Sequence, residues 1–173
     1  PESRRAGVRL AFTAHSIPET MSGVRRYQTQ LRESAALVAE RAGIADWALV
    51  YQSRSGRPED PWLGPDVNDY LRAEQANGLH AAILCPIGFL CDHVEVLYDL
   101  DHEAADTCQT IGLPMVRAAA VNDAAAFLDA MAEAVSATWS RYEHGRPLPI
   151  VSVAPPERVE GPPPAGGRPP AAR

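Results

Sequence analysis

Between Asp92 and Glu103 the chain places Asp92, His93, Glu95, Asp99, Asp101, His102 and Glu103 within twelve residues. Carboxylates bind hard cations, and imidazole moves protons near neutral pH. If the segment is helical, Glu95, Asp99 and Glu103 recur at i, i+4 and i+8 and share one face. Like charges at that spacing repel and weaken an isolated helix. The pattern reads either as a solvated acidic face, favoured near a helix N-terminus, or as a path for a cation or protons. The ladder alone leaves both readings open.

His15 is the second centre. It closes the apolar run Val8 to Ala14 and precedes Ser16-Ile-Pro18. Alone at a strand end a histidine is usually a hydrogen-bonded structural residue; beside a carboxylate it becomes a candidate metal ligand or proton acceptor. His93 and Glu95 lie two apart and cannot both point along one helical face. One division has Glu95 facing a cleft while His93 orients its neighbours. A single histidine and a carboxylate are too few for a closed structural zinc site and suit a divalent ion that is passed on. In Pro61-Trp-Leu-Gly-Pro65 two prolines stiffen a loop; Trp62 either caps the core or offers a flat face to a planar ligand. His80 and His102 read as surface residues.

The elements that must position these groups follow from periodicity. Val8 to Ala14, Trp47 to Tyr51, Leu79 to Cys85 and, more weakly, Met115 to Ala119 are apolar runs of strand length. Between them lie a helical stripe (Tyr27, Leu31, Ala35, Val38, Ala39, Ala42) closed by Gly43, a shorter helix from about Asp66 to Asn77, and a long helix from Asp92 to about Ile111. Asn122 is expected to cap a last helix that carries Phe127, Leu128, Met131 and Val135 on one face and runs to about Tyr142. Alternation of strands and helices predicts an α/β fold: a four-stranded parallel sheet flanked by helices, Rossmann-like. In such sheets ligands sit beyond the carboxyl ends of the strands. Those ends hold His15, Gln52-Ser53, and Gly88 to Glu95.

Composition narrows the classes. The 173 residues suffice for one domain with a real core. A net charge of -6 argues against a general nucleic-acid binder. The longest apolar runs fall short of the ~20 residues of a membrane span, and no signal peptide is expected at the polar start. The first residue is Pro1 rather than Met, so a longer parent protein is expected. Cys85, Cys91 and Cys108 form no Cys-x-x-Cys pair and read as reduced thiols of a cytoplasmic protein. Seven of the 16 prolines lie after residue 154, so residues 145–173 are expected to be a disordered Pro/Gly-rich tail, leaving 1–144 as the folded domain.

Phe12-Thr-Ala-His-Ser-Ile-Pro18, Tyr51-Gln-Ser53, Pro61-Trp-Leu-Gly-Pro65 and Pro86-Ile-Gly-Phe-Leu-Cys-Asp-His-Val-Glu-Val-Leu-Tyr-Asp99 resemble the ferrochelatase family, in matching order. The likeness runs from about Val8 to Tyr142 and corresponds to the C-terminal half of that family, one chelatase-type α/β half of two. The resemblance implies a lyase that inserts ferrous iron, its substrate, into a porphyrin in heme biosynthesis. It implies that the N-terminal half of the same protein completes the cleft as this half's partner. It further implies that His15 and Glu95 are the catalytic pair and metal ligands, that Asp99 and Glu103 continue as a metal or proton path, and that His93 and Asp92 support them from behind. Trp62 and Ser16 would lie beside the porphyrin. The spelling of the Gly88 to Asp99 motif is closer to the bacterial branch that metallates coproporphyrin III than to the protoporphyrin branch. Some members carry an iron–sulfur cluster on cysteines near the C-terminus; Cys85 and Cys91 do not match that pattern, so no cluster is expected and both become packing residues. The competing expectations are a noncatalytic metal- or tetrapyrrole-binding module and an inactive structural fragment.

Overall fold

The computed structural model describes residues 7–57 and 59–145. Four strands, β1 (Val8–His15), β2 (Trp47–Gln52), β3 (Ala81–Cys85) and β4 (Met115–Arg117), form one parallel sheet in the order β2-β1-β3-β4. The expected α/β architecture is the one observed. The expected tail lies outside the described residues from 146 onward.

Helices cover both faces. α1 (Val24–Ala42) buries Leu31, Ala35 and Ala39 against Leu10, Phe12, Ala14, Leu49 and Tyr51. It ends at Gly43, whose φ of 66° is the left-handed conformation that releases a helix with little steric cost. α2 (Val67–Ala76) starts at Asp66, whose carboxylate accepts the Asn68 N–H at 2.8 Å. Val67 and Leu71 of α2 meet Ala11, Val50, Ala82 and Leu84 on the other sheet face.

The long helix departs from expectation. It begins at Val94 rather than Asp92, because His93 is extended (φ -84°, ψ 177°) and caps it. It consists of α3 (Val94–Val96), a π-helical segment (Leu97–Ala104) and α4 (Ala105–Ile111). The reason lies in the buried residues. Val96, Leu100, Ala104 and Cys108 repeat every four positions, and all are at most 3% exposed. In an α-helix a step of four overshoots one turn by about 40°. The i→i+5 pairing of a π-helix widens the turn and keeps that row facing the sheet.

Two further corrections concern the C-terminal side. β4 ends at Arg117, not Ala119, because β3 beside it ends at Cys85 and Leu84 is the last residue paired. α5 (Ala125–Glu143) is preceded by Ala124, with no side-chain cap. Asn122 has φ 46° and points its amide elsewhere, as described below. The apolar face of α5 is exposed: Leu128, Met131, Val135, Trp139 and Tyr142 stand 48% to 68% open.

Candidate active site

The strand order reverses between β1 and β3: β2 lies on one side of β1 and β3 on the other. Such a switch point opens a crevice beyond the strands' carboxyl ends. Phe12 pairs with Cys85, so Thr13, Ala14 and His15 project beyond β3. The chain leaving β3 folds back over that projection. Gly88 N–H donates to the Thr13 carbonyl at 3.1 Å and packs on Ala14. The same chain then enters the helix carrying Glu95.

This brings His15 and Glu95 together. His15 Nε2 lies 3.8 Å from Glu95 Oε2, with both side chains partly exposed at 34% and 53%. His15 Nδ1 lies 2.5 Å from the Ser16 carbonyl. A carbonyl only accepts, so Nδ1 carries the hydrogen, and Nε2 presents a lone pair in the neutral ring. Two acceptors thus face each other beyond hydrogen-bond reach. A cation between them fits that arrangement, since metal–N and metal–O bonds are each ~2.0–2.2 Å.

His15 is fixed from several sides. Tyr27 Oη donates to its carbonyl at 2.9 Å, and burial pushes the Tyr27 phenol up, keeping it a neutral donor. Ser16 is 2% exposed, its N–H bonded to the Gln52 carbonyl (2.8 Å) and its hydroxyl to the Leu63 carbonyl (2.7 Å). The expected porphyrin-adjacent serine is thus turned inward and ties the His15 loop to the Pro61–Pro65 loop. Leu63 N–H to Ile17 O (3.0 Å) and Glu19 N–H to Pro61 O (2.9 Å) complete that seam. Trp62 pairs its backbone with Pro18, and its half-buried indole lies so close over Gly56 that no Cβ fits there.

The next acid reaches the next strand end. Asp99 accepts hydrogen bonds from Gln52 Nε2 (3.2 Å) and from the Ser53 hydroxyl. Ser53 has φ 60°, a conformation uncommon outside glycine and found at sites that constrain it. Gln52 Oε1 and Thr13 Oγ1, both buried, have no partner among the described residues. Glu103 is exposed farther along the π-helical segment. His93 Nδ1 accepts the Glu95 N–H at 3.2 Å, and its ring meets Phe89 edge-on at 5.2 Å. His80 and His102 are exposed.

Asp92 anchors the loop before the helix. Its carboxylate takes Asn122 Nδ2 (2.9 Å), Ala120 N–H (3.1 Å) and Arg117 Nη1 (2.8 Å). The Asn122 amide above all, with Ala120 and Arg117, holds the Asp92 carboxyl below the usual range against an opposing effect of burial. Arg117 and Asn122 were absent from the site expected from sequence. Asn122 carried a visible polar signal, but it was assigned to a helix cap. Burial pushes the Cys85 and Cys108 thiols up, away from ligating thiolates, whereas Cys91 is exposed and is not the packing residue expected. Among the described residues no three His, Cys, Asp or Glu side chains converge as a metal cage. No described helix is long and apolar enough to cross a membrane.

The four-stranded parallel sheet and its flanking helices give a chelatase-type α/β fold. A putative cobalamin (vitamin B12) biosynthesis CbiX protein from Marinobacter aquaeolei has the same fold, with a TM-score of 0.52 at 15% identity over 78% of this chain and 98% of its own. The family model for ferrochelatase matches residues 1–138, and the chain belongs to the ferrochelatase family. A coproporphyrin III ferrochelatase from Mycolicibacterium smegmatis is 42% identical over 95% of this chain and 46% of its own length. A ferrochelatase from Rhodopirellula baltica is 42% identical over 95% and 49%, respectively. The chain therefore spans about half the length of these relatives.

Proposed function

We propose that this chain is the metal- and proton-handling half of a cytoplasmic lyase that inserts ferrous iron into a porphyrin in heme synthesis, with coproporphyrin III favoured over protoporphyrin IX. The observation that carries it is the facing pair His15 Nε2 and Glu95 Oε2 at the switch point. Insertion of Fe²⁺ exchanges two pyrrole N–H protons for the metal, so bases and a cation must meet at one face of the ring. His15 turns its Nε2 toward the site, and Glu95 faces it with a carboxylate. Asp99 and then Glu103 extend the acidic row along the helix as the path for metal or released protons. His93 and Asp92 hold the start of that row. Trp62 borders the macrocycle, and Ser16 fixes the loop that carries His15. The name of the M. smegmatis relative supports coproporphyrin as substrate. The three free cysteines agree with a reducing compartment.

The partner in this reading is an N-terminal α/β half of the same protein, which closes the porphyrin cleft. Two observations support it. The chain matches only 46% to 49% of its relatives' length. α5 also exposes a continuous apolar stripe whose members recur at helical spacing, the mark of a face built to be covered. The test is iron insertion into coproporphyrin III and protoporphyrin IX by the full-length protein. His15→Ala and Glu95→Gln are each expected to lose on the order of a hundredfold or more of turnover. Full activity in both would refute the assignment, and porphyrin and iron binding without insertion would instead make the protein a carrier.

A further inference from the structure

We infer that Arg117 and Asn122 are positioning residues for Glu95, acting through Asp92 and Asp101; the inference rests on the metallation reading of His15 and Glu95. Arg117 is the last residue of β4. Its Nη1 pairs with Asp92 at 2.8 Å, while Nε and Nη2 fork onto the two oxygens of Asp101 at 2.5 and 2.9 Å. Asp92 and Asp101 bracket the stretch that carries both Glu95 and Asp99. One guanidinium therefore spans the loop before the helix and the π-helical segment inside it. Only 15% of the Arg117 side chain is exposed, so these charge-assisted bonds are partly shielded from water.

Asn122 closes the same clamp from the following loop. Its backbone N–H donates to the Leu90 carbonyl at 2.9 Å. Its side-chain Oδ1 accepts the Asp92 N–H at 2.9 Å, and Nδ2 donates to Asp92 Oδ2 at 2.9 Å and to the Ala120 carbonyl at 3.2 Å. The left-handed φ of 46° is what aims both ends of the amide at one residue. At its other end, the Gly88–His93 loop hangs on β1 by the Gly88 N–H. The wall bearing Glu95 is thus tied to β1 beside His15 and to the β4–α5 connection, and its distance from His15 depends on both anchors. Arg117 and Asn122 reach Asp92 and Asp101 rather than the reacting pair, so their effect passes through the clamp.

The test uses the full-length protein with Asn122→Gly, which suits the backbone angle and removes the amide, and Arg117→Lys, which keeps the charge but cannot form the fork. Amide exchange over residues 88–101 is expected to speed up on the order of tenfold while β1 is unchanged. Iron insertion is expected to lose roughly ten- to a hundredfold in kcat with the porphyrin KM held within about twofold. In a Glu95→Gln background Asn122→Gly is expected to cost nothing further, because both changes act on one group. Wild-type exchange and turnover in both variants would overturn the inference, as would exchange that rises equally in β1 or a full additional loss beside Glu95→Gln. If Glu95→Gln alone retains wild-type turnover, the metallation reading fails, and the clamp stands or falls on whether exchange rises locally.

Discussion

A methyl group at Gly88 would strike the strand that presents His15. Built on this backbone it lies 2.7 Å from Ala14 Cβ and 2.8 Å from Ala14 Cα. Carbon atoms pack at ~3.5–4.0 Å, so the loop or the strand must retreat by about 1 Å. Ala14 is fully buried in the sheet, which leaves the loop to move. Removing a glycine gains ~0.4–1 kcal/mol from the unfolded chain, while overpacking costs ~1–3 kcal/mol. Steric cost wins, and Gly88→Ala is expected to destabilise by about 1–2 kcal/mol, lowering the melting temperature by roughly 3–8 °C. The functional loss is expected to be larger, on the order of a hundredfold, because the displaced loop leads directly to Glu95. Scanning calorimetry and iron insertion by the full-length protein read the two effects. Gly78→Ala is the control: its φ of 94° strains any side chain, nothing lies within 4 Å, and it precedes the amino end of β3, at the opposite end of the strands from the site. It is expected to lose stability with little loss of turnover. A Gly88→Ala protein that melts like wild type, or loses no more turnover than Gly78→Ala, would refute the reasoning.

Acid should weaken the Asp92 clamp specifically. Its carboxyl titrates below the ~3.9 of an unfolded chain, so its contribution is complete above that value and is lost as pH falls through the depressed folded value. The melting-temperature gap between wild type and Asp92→Asn is expected to narrow from pH 6 to pH 3; a constant gap would contradict this. Cys91 is expected to be alkylated by iodoacetamide at least about tenfold faster than the half-buried Cys85 or the buried Cys108, whose thiols desolvation pushes up. Peptide mass spectrometry checks this, and equal modification of Cys108 in the folded protein would refute it.

The sheet was legible because its strands are apolar runs separated by helical stripes, and period alone distinguishes them. His15 and Glu95 were each visible as polar groups at strand ends. Their 3.8 Å approach was not, because it depends on β1 projecting past β3 and on the loop folding over Ala14. Arg117 and Asn122 lay hidden for a similar reason: their partners are 16 to 30 residues away. Asn122 preceded an apolar stripe, as helix caps do, and only its hydrogen bonds to Asp92 reveal that the side chain serves another loop. The α5 stripe was read correctly as one face, but a lone amphipathic pattern does not say which surface will cover it.

The π-helical segment shows how the acidic ladder acquires direction. Val96, Leu100, Ala104 and Cys108 form an unbroken four-residue repeat in the sequence, and Glu95, Asp99 and Glu103 form the same repeat one position earlier. An ideal α-helix would rotate the apolar row by about 120° over its three steps and the acidic row by about 80° over its two, carrying the acids away from the strand ends. Burial of the apolar row opposes that drift, because losing a side chain such as Leu100 from the core costs ~2–5 kcal/mol. Repulsion between carboxylates one turn apart costs far less, ~0.2–0.5 kcal/mol per pair. The apolar row therefore sets the pitch, and the acidic row follows it. Glu95 then meets His15 at the end of β1, and Asp99 meets Gln52 and Ser53 at the end of β2. The first two rungs of a ladder that weakens a free helix are in this way held against successive strand ends by their apolar neighbours, as the proposed path for a cation or protons calls for.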